Sequence, residues 1–325
     1  MAGDTVLLSA TIALSARGRG RTAPNPNVGC IVLDAAGRVA GRGWTQPGGR
    51  PHAEAMALAQ AGDRARGGTA YVSLEPCAHD SVRGPCCASL LVGSGVARVV
   101  VALTDPDPRT NGEGVARLRA AGIAVTVGML EAQARAAMAG FLTRQRSRRP
   151  FVTLKLATSL DGCIALPDGS SQWITGEAAR AHAHVERARH ELILIGRGTL
   201  AHDRPRLDVR LPGLADRSPV RCVLSRSGAA PEGWLAVERP SDIASLPGDH
   251  LLIEGGAQTA AAFLTEDLVD RLLLYRAPIL IGRGMASLAD IGLIDLADAH
   301  ERWRLTDERT LAPDRLEVYE RMRAG

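Results

Sequence analysis

Short β-prone runs alternate with alanine-rich helical stretches twice over in this chain, once on each side of the arginine-rich segment TRQRSRRP at residues 143–150. Strands at 28–33, 69–74, 97–103 and 123–127, with helices near 53–62, 86–94, 113–121 and 130–140, predict a layered α/β unit on a largely parallel or mixed sheet. A second set follows: a strand at 151–158, a helix at about 177–190, strands at 191–195, 220–224 and 250–253, a helix at about 256–265 and a strand at 271–276. Segments 302–306 and 315–319 fit closing strands. A length of 325 residues is enough for two cores, so we expect domains at 1–145 and 150–325, with 143–150 as the linker.

Hydrophobic residues at 46% and charged residues at 23% exclude a disordered or fibrous chain. No apolar run approaches 18 residues, and the opening MAGDTVLLSATIALSARGRG lacks a basic leader, so neither a membrane span nor a signal peptide is expected and the default location is cytoplasmic. Six cysteines in so long a chain do not make a disulfide scaffold, but Cys77, Cys86 and Cys87 crowd together and point to metal or redox chemistry. The net charge of +4 rests on arginine, since Lys155 is the chain's only lysine. That balance suits a phosphorylated metabolite or loose nucleic-acid contact and does not choose between them.

The cysteine cluster gains meaning beside PHAE at 51–54 and EPCAHDSVRGPC at 75–86. Catalytic zinc commonly takes three protein ligands and leaves a fourth position for water, with imidazole and thiolate among its preferred donors. A His-x-Glu followed by Pro-Cys pairs is the signature of zinc deaminases, in which the glutamate carries protons and is not a ligand. Taken alone, His-x-Glu is ordinarily a polar first turn and Pro-Cys a buried thiol. Together, each after a proline and each at an α/β boundary, they predict His52, Cys77 and Cys86 as zinc ligands and Glu54 as the acid/base. Cys87 competes with Cys86; we choose Cys86 because it follows the proline directly, and read Cys87 as core-facing.

APNPNVGCIVLD (23–34), PHAEAMAL, YVSLEPCAH and GPCCASLL together resemble the deaminase half of the bifunctional riboflavin-biosynthesis deaminase/reductase family, whose first domain has the cytidine-deaminase-like three-layer fold. The nine-residue step between cysteines is that family's spacing. The resemblance implies zinc at His52, Cys77 and Cys86, Glu54 as the catalytic acid/base, and Asn25 and His79 near the substrate. It also shows a departure: this chain has Ser81, Val82, Arg83 and Gly84 where the family usually carries glycine, a basic residue, threonine and proline.

The second half opens with FVTLKLATSLDGCIALPDGSSQWITG (151–176), a strand bearing the only lysine and running into a turn. LLIEGGAQTAAAFL (251–264) reads strand, glycine pair, helix, and so offers backbone amides to an anion, a weak signal by itself. With ILIGRGTLAHDRPRLDVR (193–210) and VDRLLLYRAPILIGRG (269–284), these segments resemble the reductase half of the same family, a dihydrofolate-reductase-like α/β domain. The resemblance implies NADPH contacts at Ala157, Trp173, Thr199, Asp203, Gly255 and Gly256. It implies substrate contacts at Ser171, Arg187, Leu207, Arg210 and Glu254, with Arg187 and Arg210 suited to a phosphate and Lys155 and Asp161 flanking the sugar. Arg204 stands where a second aspartate is common, and VLSRSG (223–228) lacks the usual aspartate-serine pair; Arg226 there suits a cofactor 2′-phosphate.

The implied activity is zinc-dependent deamination of 2,5-diamino-6-(5-phosphoribosylamino)pyrimidin-4-one, then NADPH-dependent reduction of its ribosyl group to ribityl. The expected partner is this phosphorylated pyrimidine, with no nucleic acid and no membrane, and two domains with edge strands fit a homo-oligomer. A nucleic-acid deaminase would want aromatic stacking platforms, and aromatics make up only 3% of the chain. A zinc-stabilised binding protein without turnover, or a deaminase whose second domain is silent, would carry the same zinc motif.

Overall fold

The computed structural model describes residues 2–79 and 84–323, and the chain divides into two compact units, Met1–Arg148 and Arg149–Gly325. The arginine-rich segment expected as a linker is mostly helix. Ala139–Ser147 continues through it, Arg144 and Arg146 fall in the last turn at the negative end of the helix dipole, and Arg148 ends it in the left-handed conformation.

The first unit runs α1 (Ala2–Ser15), β1 (Gly29–Leu33), β2 (Val39–Trp44), α2 (Ala53–Ala61), β3 (Thr69–Val72), α3 (Cys87–Ser94), β4 (Arg98–Val101), α4 (Glu113–Ala120), β5 (Ala124–Val127), α5 (Glu131–Ala137) and α6 (Ala139–Ser147). Its sheet has the order β2-β1-β3-β4-β5, antiparallel through β1 and parallel from β3 onward. Helix α1 packs on one face with α5, and α2, α3 and α4 pack against one another on the other side, giving three layers. Besides α6, two of these elements are missing from the sequence expectations. Helix α1 lies in the stretch read only for a leader. Strand β2 hides behind Gly41 and Gly43, because glycine weakens a strand pattern.

Those glycines have a packing reason. Both face α2, and a Cβ on Gly43 would sit 2.2 Å from the Ala53 carbonyl oxygen, one on Gly41 2.0 Å from that of Ala57. The missing side chains let the start of α2 lie directly on the sheet, and that start carries His52 and Glu54.

The second unit runs β6 (Phe151–Thr158), β7 (Cys163–Ala165), α7 (Glu177–Arg187), β8 (Leu192–Gly196), α8 (Arg197–Asp203), β9 (Val220–Leu224), β10 (Leu235–Val237), β11 (His250–Ile253), α9 (Ala257–Thr265), β12 (Arg271–Arg276), β13 (Met285–Ala286), β14 (Trp303–Leu311) and β15 (Asp314–Arg321). Eight strands order as β10-β9-β8-β11-β6-β12-β15-β14, parallel up to β12 and antiparallel beyond it, while β13 pairs with β7 apart. Strands β8 and β11 are buried along their whole length, as parallel strands covered on both faces must be, which is why they read as unbroken apolar runs. Each unit has its own core, one centred on Val32, Val72 and Val100, the other on Leu154, Leu194 and Ile253. Among the described residues no helix is long and apolar enough to cross a membrane.

Candidate active sites

In the first unit the chain delivers three donors to one point from three local structures. His52 is the extended residue before the first turn of α2, Cys77 lies in the loop after β3, and Cys87 is the first residue of α3. His52 Nδ1 is 3.3 Å from Cys87 Sγ and 3.7 Å from Cys77 Sγ, and the three donor atoms lie within 4.8 Å of one another. Bonds of about 2.1 Å to nitrogen and about 2.3 Å to sulfur around a tetrahedral zinc set nitrogen–sulfur edges of about 3.6 Å. The observed separations lie on either side of that edge, and one imidazole with two thiols is a donor set zinc favours, so the site fits the metal.

The expectation that Cys86 completes the set is corrected. Cys86 is the extended residue before α3 and Cys87 the first helical one, so their side chains leave the backbone in different directions. Cys86 turns away, donating to Ser89 Oγ at 3.1 Å and accepting from Arg117 Nη1 at 2.9 Å, while Cys87 faces the cluster instead of the core. The preceding proline, which guided the choice from sequence, carries no information about that direction.

Electrostatics in the cluster are set by burial and by the helix start. The Cys87 backbone N–H donates to Cys77 Sγ at 3.2 Å; hydrogen bonds from Cys87 and His52 outweigh burial and bring the Cys77 thiol down to about 4. Cys87, donating to that sulfur and buried, is pushed up. Burial raises the Glu54 carboxyl to about 7, against the pull of His52 and a hydrogen bond with Cys87.

Asn25 sits on the far side of the imidazole. Its Nδ2 donates to the Gly49 carbonyl oxygen at 2.9 Å and lies 3.0 Å from His52 Nε2, so it holds the ring as well as the 49–52 turn. His79 Nδ1 is 3.5 Å from Thr110 Oγ1 and is not part of the donor cluster. Residue Glu75, which sequence reasoning passed over, is buried. Its carboxylate accepts from the backbone N–H groups of Asp105, Gly112 and Val115, tying the loop before α4 to the Pro76–Cys77 turn. The departures at Ser81, Val82 and Arg83 lie outside the described residues.

In the second unit a cleft of about 800 Å³ opens at the carboxyl ends of β6 and β11 and the start of α8, where open α/β sheets bind ligands. All six residues expected at the cofactor line it, as do all but one of the seven expected at the substrate. The exception is Asp161. Its carboxylate accepts from Ser159 Oγ and from the backbone N–H groups of Ile281 and Gly282, which hold it well down at about 2 and tie two loops together.

Inside the cleft, Glu254 is gripped by Arg187, whose Nε and Nη2 donate to its two oxygens at 2.7 and 2.9 Å, with Lys155 Nζ at 3.8 Å. Burial would raise the Glu254 carboxyl, but the Arg187 hydrogen bonds and the Lys155 charge prevail and hold it at about 2. Arg187 Nη1 donates to the Asp208 carbonyl oxygen at 3.0 Å, so this guanidinium, expected on a phosphate, directs both Nε and Nη2 at a carboxylate. Trp173 stands open to solvent with the Arg180 guanidinium 4.9 Å from its ring centre, and Arg180 Nη1 also donates to the Thr175 carbonyl oxygen. Leu207 and Arg204 hold positive φ angles of 56° and 41° on the segment that closes the cleft's side. Arg226 is exposed and does not line the cleft; Arg197 instead reaches Ser225 and Ser227 at the end of β9.

Comparison with known proteins matches each unit. Residues 4–103 match the family model "Cytidine and deoxycytidylate deaminase zinc-binding region", and residues 150–243 and 241–315 match "RibD C-terminal domain". The riboflavin biosynthesis protein RibD of Aquifex aeolicus is 35% identical over 333 residues, covering 91% of this chain and 92% of that relative. The chain belongs to the RibD family of riboflavin biosynthesis proteins.

Solved RibD structures agree over the whole length. That from Acinetobacter baumannii has a TM-score of 0.87 at 35% identity, covering 98% of this chain and 99% of its own. The diaminohydroxyphosphoribosylaminopyrimidine deaminase/5-amino-6-(5-phosphoribosylamino)uracil reductase of Thermotoga maritima reaches 0.89 at 29% identity over the same shares. Like other RibD proteins this chain is a bifunctional enzyme of riboflavin biosynthesis, a cytidine-deaminase-like domain with a His52/Cys77/Cys87 zinc site followed by a dihydrofolate-reductase-like reductase domain. Its substrates are small molecules.

Proposed function

We propose that the first unit deaminates 2,5-diamino-6-(5-phosphoribosylamino)pyrimidin-4-one with Glu54 as proton carrier, and that the second reduces the ribosyl group of the product to ribityl with NADPH. The observation that carries the first half is a fully buried carboxyl, raised to about 7, beside one imidazole and two thiols. A group balanced near neutrality can take a proton from water and return it to a departing amine with little penalty either way. Zinc held by His52, Cys77 and Cys87 would supply the Lewis acidity that makes water a usable nucleophile at that pH. Asn25 fixes the 49–52 turn that carries His52 through the Gly49 carbonyl, and Cys77, already the thiolate of the pair, needs no deprotonation before binding metal.

In the second unit, NADPH would supply the hydride. Gly255 and Gly256 leave the α9 amide end open to its phosphates, while Ala157, Trp173, Thr199 and Asp203 line the same cleft. Glu254, locked as a carboxylate by Arg187, would accept sugar hydroxyls, Lys155 beside it would donate to them, and Arg210 would take the phosphate. Ser171 and Leu207 line the cleft as the remaining substrate contacts. Arg226, outside the cleft lining, is the remaining candidate for the 2′-phosphate of NADPH. The reading includes no nucleic-acid or membrane partner and a cytoplasmic location, where six free cysteines persist. A homo-oligomer would cover the exposed Leu280, Ile294 and Leu296.

The deciding experiment follows ammonia release and NADPH oxidation separately on the pyrimidine substrate, with and without NADPH. Ammonia in both cases and NADPH oxidation after it is the expected result. Ammonia without oxidation would overturn the reductase half, and neither signal would overturn both.

A further inference from the structure

At the carboxyl ends of β8 and β9, beside the reductase cleft, three polar side chains meet and leave more donors than acceptors. Arg197, the residue after β8, donates from Nη1 to Ser225 Oγ at 3.4 Å and to Ser227 Oγ at 3.3 Å, and the two hydroxyls lie 3.1 Å apart. Both guanidinium contacts are long, so the fork is not locked onto the serines. A guanidinium only donates; the contact between the serines uses one hydroxyl hydrogen and leaves the other. Arg197 Nε and Nη2 add further N–H groups, and among the described residues Arg197 makes no ion pair. The serines sit on a fixed turn: the Ser225 backbone N–H donates to the Val237 carbonyl oxygen at 2.9 Å, and the Gly228 N–H to that of Ser225 at 2.8 Å. One acid approaches this turn. Glu238 Oε1 would lie 3.1 Å from a Cβ on Gly228, but it follows β10, on the opposite side of β9 from β8.

The sheet order says which part of a cofactor reaches these donors. Strands β6, β11, β8 and β9 are neighbours in that order and parallel, so their carboxyl ends form one edge with a step of about 4.8 Å per strand. Hydride passes between nicotinamide and sugar, so the nicotinamide belongs beside Lys155 and Ala157 on β6. Gly255 and Gly256 after β11 and Thr199 after β8 then meet the pyrophosphate. The adenosine half continues away from β6, past Gly198 in the cleft lining, to the ends of β8 and β9, where Arg197, Ser225 and Ser227 stand.

We infer that Arg197, with the hydroxyls of Ser225 and Ser227, binds the 2′-phosphate of NADPH and so selects that cofactor over NADH. The inference deepens the reading of the cleft as an NADPH site and rests on it. It assigns the selection to a guanidinium beside the path of the adenosine, rather than to Arg226 alone. The planar fork matches phosphate oxygens in pairs, and the serine hydroxyl left over donates to a third. The 2′-hydroxyl of NADH carries no charge and offers the same fork only a single neutral oxygen.

The test measures binding, without turnover, by titration calorimetry on the full chain, unsubstituted or carrying R197M, R197K or R226M. The probes are NADP⁺, NAD⁺, adenosine 2′,5′-bisphosphate and adenosine 5′-monophosphate. R197M should weaken NADP⁺ and the bisphosphate about 10- to 100-fold, the scale of one lost charge-assisted hydrogen bond. It should leave NAD⁺ and the monophosphate unchanged, and R197K, which keeps the charge without the fork, should recover part of the loss. Weakened NADP⁺ binding in R226M with no change in R197M overturns the inference and leaves the reading of the cleft standing. Equal losses of NADP⁺ and NAD⁺ in R197M would show that Arg197 only supports the ends of β8 and β9, which also overturns the inference. An unsubstituted chain that binds neither dinucleotide would overturn the reading of the cleft, and the inference with it.

Discussion

Replacing Cys87 with serine should strip zinc from the first unit, while the same change at Cys86 should leave it in place. Protein zinc sites of comparable donors bind with about 10–16 kcal/mol. Spread over three protein ligands and an exchangeable fourth position, one thiolate accounts for about 3–4 kcal/mol, which is a loss of two to three decades in affinity at about 1.4 kcal/mol per decade. The rest of the site should survive, because the amide that supports Cys77 is the backbone N–H of residue 87 and serine keeps it. At Cys86 a serine hydroxyl can still meet Ser89 and Arg117, so the expected cost is about 1 kcal/mol of stability with no change in metal content. Both variants would be dialysed against a chelator of intermediate affinity, then measured for zinc per chain and for ammonia release. One zinc per chain in Cys87→Ser, with loss in Cys86→Ser, would refute the geometric argument and return the ligand role to Cys86.

Four further outcomes follow from the same geometry. Glu54→Gln keeps the shape of the buried pocket and removes the proton acceptor, so ammonia release should fall by about 10²–10⁴ while zinc content and reduction of already deaminated substrate persist; undiminished ammonia release would exclude the role. Arg187→Met leaves the buried Glu254 carboxylate without its bidentate partner and should cost about 3–5 kcal/mol in urea titration. The Glu254 carboxyl falls from 4.5 to about 2 on folding, so it contributes about 3 kcal/mol that is present above pH 4.5 and lost as the pH drops toward 2; Glu254→Gln should flatten stability across that window, and an unchanged acid limb would contradict it. Gly43→Ala should cost about 1–3 kcal/mol and lower deaminase activity selectively, because the Ala53 carbonyl must move and His52 and Glu54 move with it; full deaminase activity would show that α2 tolerates the shift.

How far the fold was legible depends on how locally each element is determined. Strands β8 and β11 announce themselves because full burial on both faces demands unbroken apolar runs. Strand β2 does not, because what it needs is close approach by α2, and glycines that permit this look like turn residues in sequence. Helix α1 shows the same limit: Leu8 and Ile12 face the core, but the surrounding residues are mixed, so the run gives no clean helical stripe. The boundary between the units falls inside the segment expected as linker, but its helical form was not legible, because a basic run at a helix C-terminus, favourable to the dipole, has the same composition as a solvated connection.

The two sites differ in legibility for a related reason. The deaminase donors come from short motifs at the starts of helices, so spacing along the chain nearly determines which residues meet, and only the choice between Cys86 and Cys87 depended on a direction that spacing does not contain. The reductase cleft is assembled from β6, α7, α8, the 203–210 segment and the end of β11, and the partner of each charge is settled only when these pack. Arg187 looked like a phosphate ligand because arginine pairs with phosphate and carboxylate through the same fork. Folding brings Glu254 to it, and the division follows: Arg187 holds the carboxylate that would face the sugar, and Arg210 on the 203–210 segment is the arginine left for the phosphate.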